Sequence, residues 1–254
     1  MTLTQQSPLG SNVMTLVQQR IVVIGGSSGM GLATARAAAH AGAVVTVASS
    51  SRARVDAALA DLPAGSAGAV VDVRDETAVA ALFKRMGELD HVVFTAGDAF
   101  TPRPLADLGL SKARSGFDVR FWGAVTVAKY AAPRIRPGGS IAFTTGTVGK
   151  RPMPGAWLAA AGAWAAEGLV RGLAVELAPL RVNAVRAGAV RTPMWDAVPE
   201  PRREALFAGL AQRTLTGTMG EPEQIALAHL YLMQNRYVTG TVLTVDGGLL
   251  LAGN

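Results

Sequence analysis

The sequence contains no cysteine, which excludes disulfide bonds, thiolate metal sites and a thiol nucleophile. Histidine is almost as scarce: His40, His91 and His229 are far apart in the chain and share no metal-ligand spacing. We therefore expect no metal site, and we interpret the three histidines as solvated or lightly packed surface residues.

Charged residues make up only 17% of the chain, and its net charge of +6 comes from arginine far more than from lysine. The arginines are scattered and do not form basic runs between aromatic residues. This pattern argues against nucleic-acid binding, and it is compatible with an anionic small-molecule ligand.

Long uncharged apolar runs are also absent. The longest candidate contains Glu167, Arg171 and Glu176, so it falls short of the roughly 18 residues that a membrane span needs. Because the N-terminus also lacks a signal-peptide pattern, we expect a soluble, cytoplasmic protein with no membrane partner.

The first residues of the chain are polar and show no periodicity. We interpret 1–18 as a loose N-terminal arm, followed by one domain over 19–254. The opening MTLTQQ is nearly repeated as MTLVQQ from Met14. A natural start at Met14 and a chance repeat both stay open.

What the sequence does contain is alternation between short β-branched runs and alanine-rich helical stretches, beginning at Arg20. RIVVIGG, AVVTVAS and GSIAFTT are examples of the strands, and the two longest helices are predicted over 112–132 and 157–178. Strands that are apolar throughout are typical of a parallel sheet covered on both faces. The sequence therefore predicts a single-domain α/β protein with a Rossmann-like, doubly wound parallel sheet.

Residues 191–213 interrupt this rhythm with Pro193, Pro199 and Pro201 and with several large apolar residues. We interpret 191–213 as a substrate lid at the ends of the strands. An ordinary surface insertion is the alternative.

A glycine-rich loop, VVIGGSSGMGLATA, follows the first strand and opens the first helix. Glycines let the backbone turn tightly and approach a pyrophosphate, whose charge then meets free amides at the helix N-terminus. The loop therefore predicts a dinucleotide site that includes Gly25, Ser27, Ser28, Gly29, Met30 and Gly31.

The residues at the end of the second strand indicate whether NAD(H) or NADP(H) is bound. An acidic residue there would accept a hydrogen bond from the ribose 2′-hydroxyl and repel a 2′-phosphate. Here Ser50, Ser51 and Arg52 follow the strand, and no carboxylate occurs before Asp56. Hydroxyl and guanidinium groups suit a phosphate dianion. We expect NADP(H) in preference to NAD(H), which stays open as the alternative.

Several motifs, taken in chain order, resemble those of the short-chain dehydrogenase/reductase family over residues 20–250. Besides the glycine loop, these are DVRD, TAG (where the family has Asn-Ala-Gly), ELAPLRVNAVRAG, VRTPM and VTGTVLTVDGG. The resemblance implies contacts to adenine near the DVRD motif, to the cofactor at the TAG turn, and to the nicotinamide amide from VRTPM. It adds to the cofactor site Asp72, Val73, Thr95, Ala96, Gly97, Gly188, Val190 and Thr192.

Members of that family normally carry an Asn, a Ser and a Tyr-x-x-x-Lys pair, whose ammonium makes a phenol with a pKa near about 10 useful at neutral pH. Counting back from ELAP, the tyrosine position falls on Ala159 and the lysine position on Ala163. The serine position falls on Gly146 and the asparagine position on Arg120. No tyrosine occurs within 131–230, so a shift of register does not restore the pair.

Other side chains are candidates for the missing roles. Arg120 could bind an anionic substrate or stabilise an oxyanion, or it could make a structural ion pair. Thr145 and Thr147 flank the serine position, and either hydroxyl could polarise a carbonyl. Asp98 could act as an acid or base, or cap its turn.

Three functions therefore stay open. The first is an atypical NADP(H)-dependent oxidoreductase acting on a small carbonyl-type or related substrate. The second is a lyase, isomerase or cyclase that uses the same pocket without redox chemistry. The third is a pseudoenzyme that binds NADP(H) as a sensor or as a silent subunit.

The resemblance also implies a homotetramer or homodimer assembled through the two long helices. A mixed assembly with an active relative is the alternative. Small residues that would permit close packing of these helices are Ala124, Ala128, Ala161, Ala165, Gly168 and Gly172.

Overall fold

The structure is a computed structural model that describes residues 16–97 and 102–252. Most of the predicted arm over 1–18 lies outside these residues. Its last part is packed, however, because Leu16 is fully buried and its amide donates to the carbonyl of Ala41 over 2.8 Å. Ordered packing therefore starts before the boundary that we predict from polarity.

The described residues form one seven-stranded parallel sheet in the order β3-β2-β1-β4-β5-β6-β7. Its strands are β1 (Arg20–Ile24), β2 (Val44–Ser49), β3 (Ala67–Val70), β4 (Leu89–Phe94), β5 (Ile135–Gly146), β6 (Arg181–Ala187) and β7 (Val242–Val245). This confirms the predicted single-domain, Rossmann-like, doubly wound fold. The strand order reverses between β1 and β4, and ligands bind such sheets in the crevice at the carboxyl ends of the strands at that point.

Helices cover both faces of the sheet. They are α1 (Gly29–His40), α2 (Arg52–Ala60), α3 (Glu76–Met86), α4 (Leu110–Ser115), α5 (Ala124–Ala131), α6 (Trp157–Glu176), α7 (Arg202–Gln212) and α8 (Pro222–Gln234). Local caps define several starts. The Asp75 carboxylate accepts from the amide of Ala78 at the start of α3, and Glu221 with Gln224 forms a capping box on α8.

Alternation along β1 shows how the core is divided. Val22 and Ile24 point to the face covered by α3, α5 and α6, whereas Ile21 and Val23 point to the face covered by α1 and α8. All four side chains are buried. This two-sided burial explains why the strands read as continuous apolar runs.

The predicted helix over 112–132 is wrong as a single element. The chain forms α4, a π-helical turn at Asp118–Gly123, and then α5. Gly116 ends α4, and the Leu158 side chain on α6 occupies the space that a Cβ there would need, at 2.7 Å. Close approach of α6 therefore favours a break that hydrophobic periodicity does not reveal.

Within the described residues, α6 is the one helix long and apolar enough by composition to cross a membrane. It packs on the sheet of its own domain, with Ala160, Ala163, Glu167 and Val170 buried. The other side of α6 is exposed in the described structure.

Candidate functional site

The glycine loop and the TAG turn contact each other at the carboxyl ends of β1 and β4. Gly25 has a φ of +83°, and a Cβ there would lie 2.5 Å from the amide nitrogen of Ala96. A Cβ on Gly31 would lie 2.2 Å from the carbonyl oxygen of Gly25 and 2.4 Å from Thr95 Oγ1. Only glycine permits this contact, which brings the predicted residues from two distant segments into one cradle.

The N-terminus of α1 leaves the cradle open to an anion. Among the described residues no side chain caps its first turn: Ser28, the N-cap residue, makes no such hydrogen bond, and the first turn contains no acidic residue. The first amides of a helix lack partners within the helix, and they attract negative charge. A pyrophosphate therefore fits this end of the cradle.

The residues after β2 are arranged around the start of α2. The Ser51 side chain accepts from the amide of Arg54 over 3.4 Å, which leaves its hydroxyl hydrogen available. Arg52 lies 3.5 Å from Asp56, and both side chains are exposed. Ser50 is also exposed. These groups remain accessible to a ribose phosphate.

On the predicted adenine side, the Asp72 carboxylate accepts from Nε and Nη2 of Arg74, with the Nη2 contact at 2.5 Å. These hydrogen bonds lower the pKa of Asp72 below its ordinary value. The Val73 side chain packs against the backbone of Gly123, where a Cβ would lie 2.6 Å from Val73 Cγ2. The hydrogen bonds from Arg74 therefore hold the Asp72 carboxylate in place and favour its charged form.

The segment after β6 forms the third side of the cradle. Val190 is buried, and the Thr192 side chain lies 3.3 Å from where a Cβ on Gly29 would stand. The backbone at Gly188 lies against Asp246, whose Cα is 2.6 Å from the corresponding Cβ position. The structure thus brings Thr192 to the glycine loop.

The wall formed by β5 and α6 carries no ionisable group at the positions that the resemblance singles out. Ala159 is half-buried and Ala163 is buried. Thr145 Oγ1 donates to the carbonyl oxygen of Ala163 over 3.3 Å. A Cβ on Gly146 would have no atom nearer than 3.7 Å, so there is room for a larger residue.

Arg120 extends from the π-helical turn to the TAG turn. If Gly97 had a side chain, its Cβ would lie only 2.5 Å from Arg120 Cζ. The guanidinium of Arg120 therefore lies directly against Gly97. A π-helical turn inserts one residue into a helix and redirects its side chains, and such turns are frequent at functional sites. The glycine at 97 therefore admits the guanidinium to the carboxyl edge of the sheet.

The remaining candidates differ in position. Thr147 is buried in a short 3-10 turn over Thr147–Gly149. Asp98 lies outside the described residues. Lys150 is not among the candidates but is the one lysine within 131–230, and its Nζ lies 4.0 Å from the centre of the Trp164 ring. This lysine is exposed.

A buried ion pair that sequence reasoning misses lies one helical turn beyond Ala163. Glu167 on α6 accepts from Arg186 Nε over 2.8 Å and from Arg186 Nη2 over 2.6 Å. Arg186 Nη1 also donates to Thr244 Oγ1 over 2.8 Å. In the sequence, Glu167 and Arg186 are single charges among apolar neighbours, and nothing near either residue identifies the other as its partner.

The prediction of surface histidines is wrong for two of the three. His91 bridges Ser140 and Gln19, and His229 bridges Thr34 on α1 and Thr144 on β5. Burial lowers the pKa of each ring to about 4. These imidazoles are satisfied core residues, and within the described residues no cluster of three His, Asp or Glu side chains is arranged to hold a metal.

Residues 24–250 match the family model described as enoyl-(acyl carrier protein) reductase. The chain is 36% identical to the short-chain dehydrogenase/reductase ucsE of Acremonium sp, over 93% of this chain and 97% of that protein.

Two solved structures are also similar. One is a small-chain dehydrogenase in complex with NADPH, with a TM-score of 0.81 and 32% identity over 92% of this chain and 100% of that one. The other is the MalC reductase/Diels-Alderase from Malbranchea aurantiaca, with a TM-score of 0.87 and 33% identity over 93% and 98%.

Proposed function

The chain belongs to the short-chain dehydrogenase/reductase family, and we propose that it is an atypical NADP(H)-dependent oxidoreductase of that family. It would reduce or oxidise a small carbonyl-type or related substrate without a Tyr/Lys proton donor. One observation carries the proposal: a cradle shaped for a dinucleotide faces a wall with glycine at 146 and alanine at 159 and 163.

The preference for NADP(H) is supported by the residues that follow β2. Ser50, Ser51 and Arg52 offer hydroxyl and guanidinium groups to a 2′-phosphate. The first carboxylate, Asp56, lies beside Arg52 and not at the strand end. The similar small-chain dehydrogenase structure is a complex with NADPH, which supports this preference.

When bound, the cofactor would supply the hydride in reduction or accept it in oxidation. The chain's own contribution would be to hold the cofactor with the glycine loop and the adjacent Thr192, and to stabilise charge that develops on the substrate oxygen. Arg120 is suited to that second role because its guanidinium is always charged and lies against Gly97 at the carboxyl edge. The proton would come from water ordered by Arg120, from Thr147, or from the substrate itself.

Thr145 is a weaker candidate for polarising the substrate. Its single hydroxyl hydrogen is directed to the carbonyl oxygen of Ala163, and a hydroxyl has one proton to donate. Thr145 would contact substrate only as an acceptor unless that bond is exchanged.

Two measurements test the proposal. Fluorescence titration should show saturable NADPH binding, and single-turnover oxidation of the bound NADPH should occur with some member of a panel of ketones, imines and enones. Absence of binding by any dinucleotide would contradict the proposal. Binding without turnover across the panel would favour the non-catalytic role of a sensor or silent subunit.

The role of Arg120 has its own test. Arg120→Ala should lower the single-turnover rate about 10²-fold or more if the guanidinium stabilises an oxyanion. Gly97→Ala should have a similar effect, because its new methyl group would displace the guanidinium and leave Arg120 itself unchanged. Equal rates in all three proteins would assign Arg120 a structural role.

A second candidate is a non-redox reaction in the same pocket. The similarity to the MalC reductase/Diels-Alderase favours it. A cycloaddition moves neither a hydride nor a proton, so it needs a shaped pocket and not a general acid. If the protein forms product while NADPH is not oxidised, the reaction is the non-redox one and not the NADP(H)-dependent oxidoreduction.

We also propose that the protein is a cytoplasmic homotetramer or homodimer in which α6 contributes to the interface, although a mixed assembly with an active relative would use the same surface. Ala161, Gly168 and Gly172 lie on the exposed side of α6. Ala124 and Ala128, in contrast, are buried against the sheet, so the predicted small-residue face of the other helix is wrong. Sedimentation of the purified chain would test the assembly.

A further inference from the structure

Residues 190–192 contact the segment before α8 at one end and the cofactor cradle at the other. The Arg191 amide donates to the carbonyl oxygen of Gly220 over 2.9 Å, and the Gly220 amide donates to Ala189 over 2.8 Å. At its other end, Thr192 lies against Gly29 in the glycine loop. The backbone of Arg191 is therefore held in the region that we propose to grip the nicotinamide.

The Arg191 side chain contacts the predicted lid instead. Its Cζ lies 4.6 Å from the centre of the Phe207 ring, and its Nη1 lies 3.7 Å from Glu204 Oε2. Both of these partners are on α7. Its Nε lies 3.4 Å from Glu221 Oε1, at the start of α8. One side chain thus joins the lid helix to the body of the domain.

These contacts are suited to reversible attachment. The Arg191 side chain is 41% exposed, and exposed ion pairs and cation–π contacts are individually weak. A surface pocket of about 300 Å³ is also lined by Arg191, Thr192 and Phe207. Phe207 and Leu210 anchor α7 in a buried cluster with Met219, so α7 is packed along one face and open to solvent at this pocket.

We propose that Arg191 is a positioning residue that couples NADP(H) binding to closure of α7. This inference rests on the proposed function, because it requires that 190–192 contacts the nicotinamide and that 191–213 is the lid. A cofactor that contacts the backbone of 190–192 would further restrict the Arg191 side chain in its contacts with Glu204 and Phe207. Coupling between two sites is reciprocal, so a closed α7 would in turn strengthen cofactor binding.

The test is hydrogen exchange of the α7 backbone amides, measured by mass spectrometry with and without saturating NADPH. In the unchanged protein, NADPH should slow this exchange by about fivefold or more, the lower end of typical coupling. Arg191→Met keeps an apolar stem over Phe207 but removes both ion pairs. The protection ratio should fall to less than about twofold in this variant, although NADPH still binds.

Two further variants separate coupling from general loosening of the lid. Arg203→Met removes a charge whose acidic partners, Asp196 and Glu200, both lie within 191–213. It should speed exchange with and without NADPH and leave the protection ratio unchanged. Arg191→Lys restores a positive charge near Glu204, and it should recover part of the ratio.

Each outcome decides the proposal. The proposal would be overturned if NADPH protected α7 in Arg191→Met as strongly as in the unchanged protein. It would also be overturned if Arg203→Met lowered the protection ratio as much as Arg191→Met does. NADPH that binds the unchanged protein without protecting α7 would overturn the coupling and leave the proposed function standing. Failure of NADPH to bind at all would contradict the proposed function, and the coupling with it.

Discussion

The glycine loop after β1 and the wall formed by β5 and α6 are both built from small residues, but for different physical reasons. In the loop, a Cβ on Gly25 or Gly31 would meet backbone or side-chain atoms within 2.5 Å. On the wall, a Cβ on Gly146 would meet nothing nearer than 3.7 Å. Packing dictates glycine in the first region and merely permits it in the second. Glycine thus marks close contact in the loop and open space at position 146.

The largest expected effect comes from filling the wall. The variant Gly146→Ser, Ala159→Tyr, Ala163→Lys and Arg120→Asn should raise reduction of simple ketones by NADPH by about 10²- to 10⁴-fold, the range for general acid–base catalysis. Steady-state NADPH oxidation measures this. The matched control carries Phe at 159, which supplies the ring without the hydroxyl. No gain despite unchanged NADPH binding would mean that the missing groups do not limit the rate.

The next effect concerns the stability of the wall. Glu167→Gln leaves the Arg186 guanidinium buried without a counter-charge, and it should lower the free energy of unfolding by about 3–5 kcal/mol. Combining Glu167→Leu with Arg186→Met removes both charges, and it should recover most of that loss. Denaturant titration measures both.

The exposed pair of Glu76 and Lys129, with 2.7 Å between Oε1 and Nζ, provides the control for that measurement. Glu76→Gln should cause little measurable change, because exposed ion pairs contribute little. If Glu167→Gln behaved like Glu76→Gln, the buried pair would not be what holds α6 to the sheet.

A smaller effect, on the pH dependence of stability, is expected from His229, which links α1 to β5. His229 connects Thr34 on α1 to Thr144 on β5. Burial lowers the pKa of His229 to about 4, against an ordinary value of 6.5. Between these values the unfolded chain binds a proton that the folded chain does not. Stability is therefore complete above pH 6.5 and is lost as the pH falls toward 4, by about 3 kcal/mol for this group.

The variant His229→Asn removes this titration, and its unfolding free energy should depend less steeply on pH between 6.5 and 4. Burial lowers the pKa of His91 to about 4 as well, so part of the slope should remain. Equal slopes in His229→Asn and the unchanged protein would contradict the assignment.

The smallest expected effect tests whether contact or conformation dictates glycine in the loop. Gly25 and Gly65 both have positive φ, +83° and +93°, but nothing lies within 4 Å of a Cβ on Gly65. Gly65→Ala should therefore show only backbone strain. Gly25→Ala should cost about 1–3 kcal/mol more, through overpacking, and should weaken NADPH binding. Thermal unfolding and NADPH titration compare them, and equal losses would refute a contact requirement.

Sequence reasoning predicts most of the fold, because the strands and helices follow from local periodicity and from glycine at turns. It fails at the helix over 112–132, where the side chain of Leu158 takes the space beside Gly116. It also fails for His91 and His229, because a single residue does not reveal what will surround it. Packing from distant segments decides both cases.

By itself, the sequence determined the order of the strands and helices, the glycine loop and the residue types along α6, since these depend on residue identity and neighbours in the chain. Only the tertiary structure decided that Arg120 meets Gly97, that Glu167 pairs with Arg186, and that Arg191 joins α7 to the segment beside the cradle. Those contacts depend on distances between residues far apart in sequence, which arise when the helices pack on the sheet.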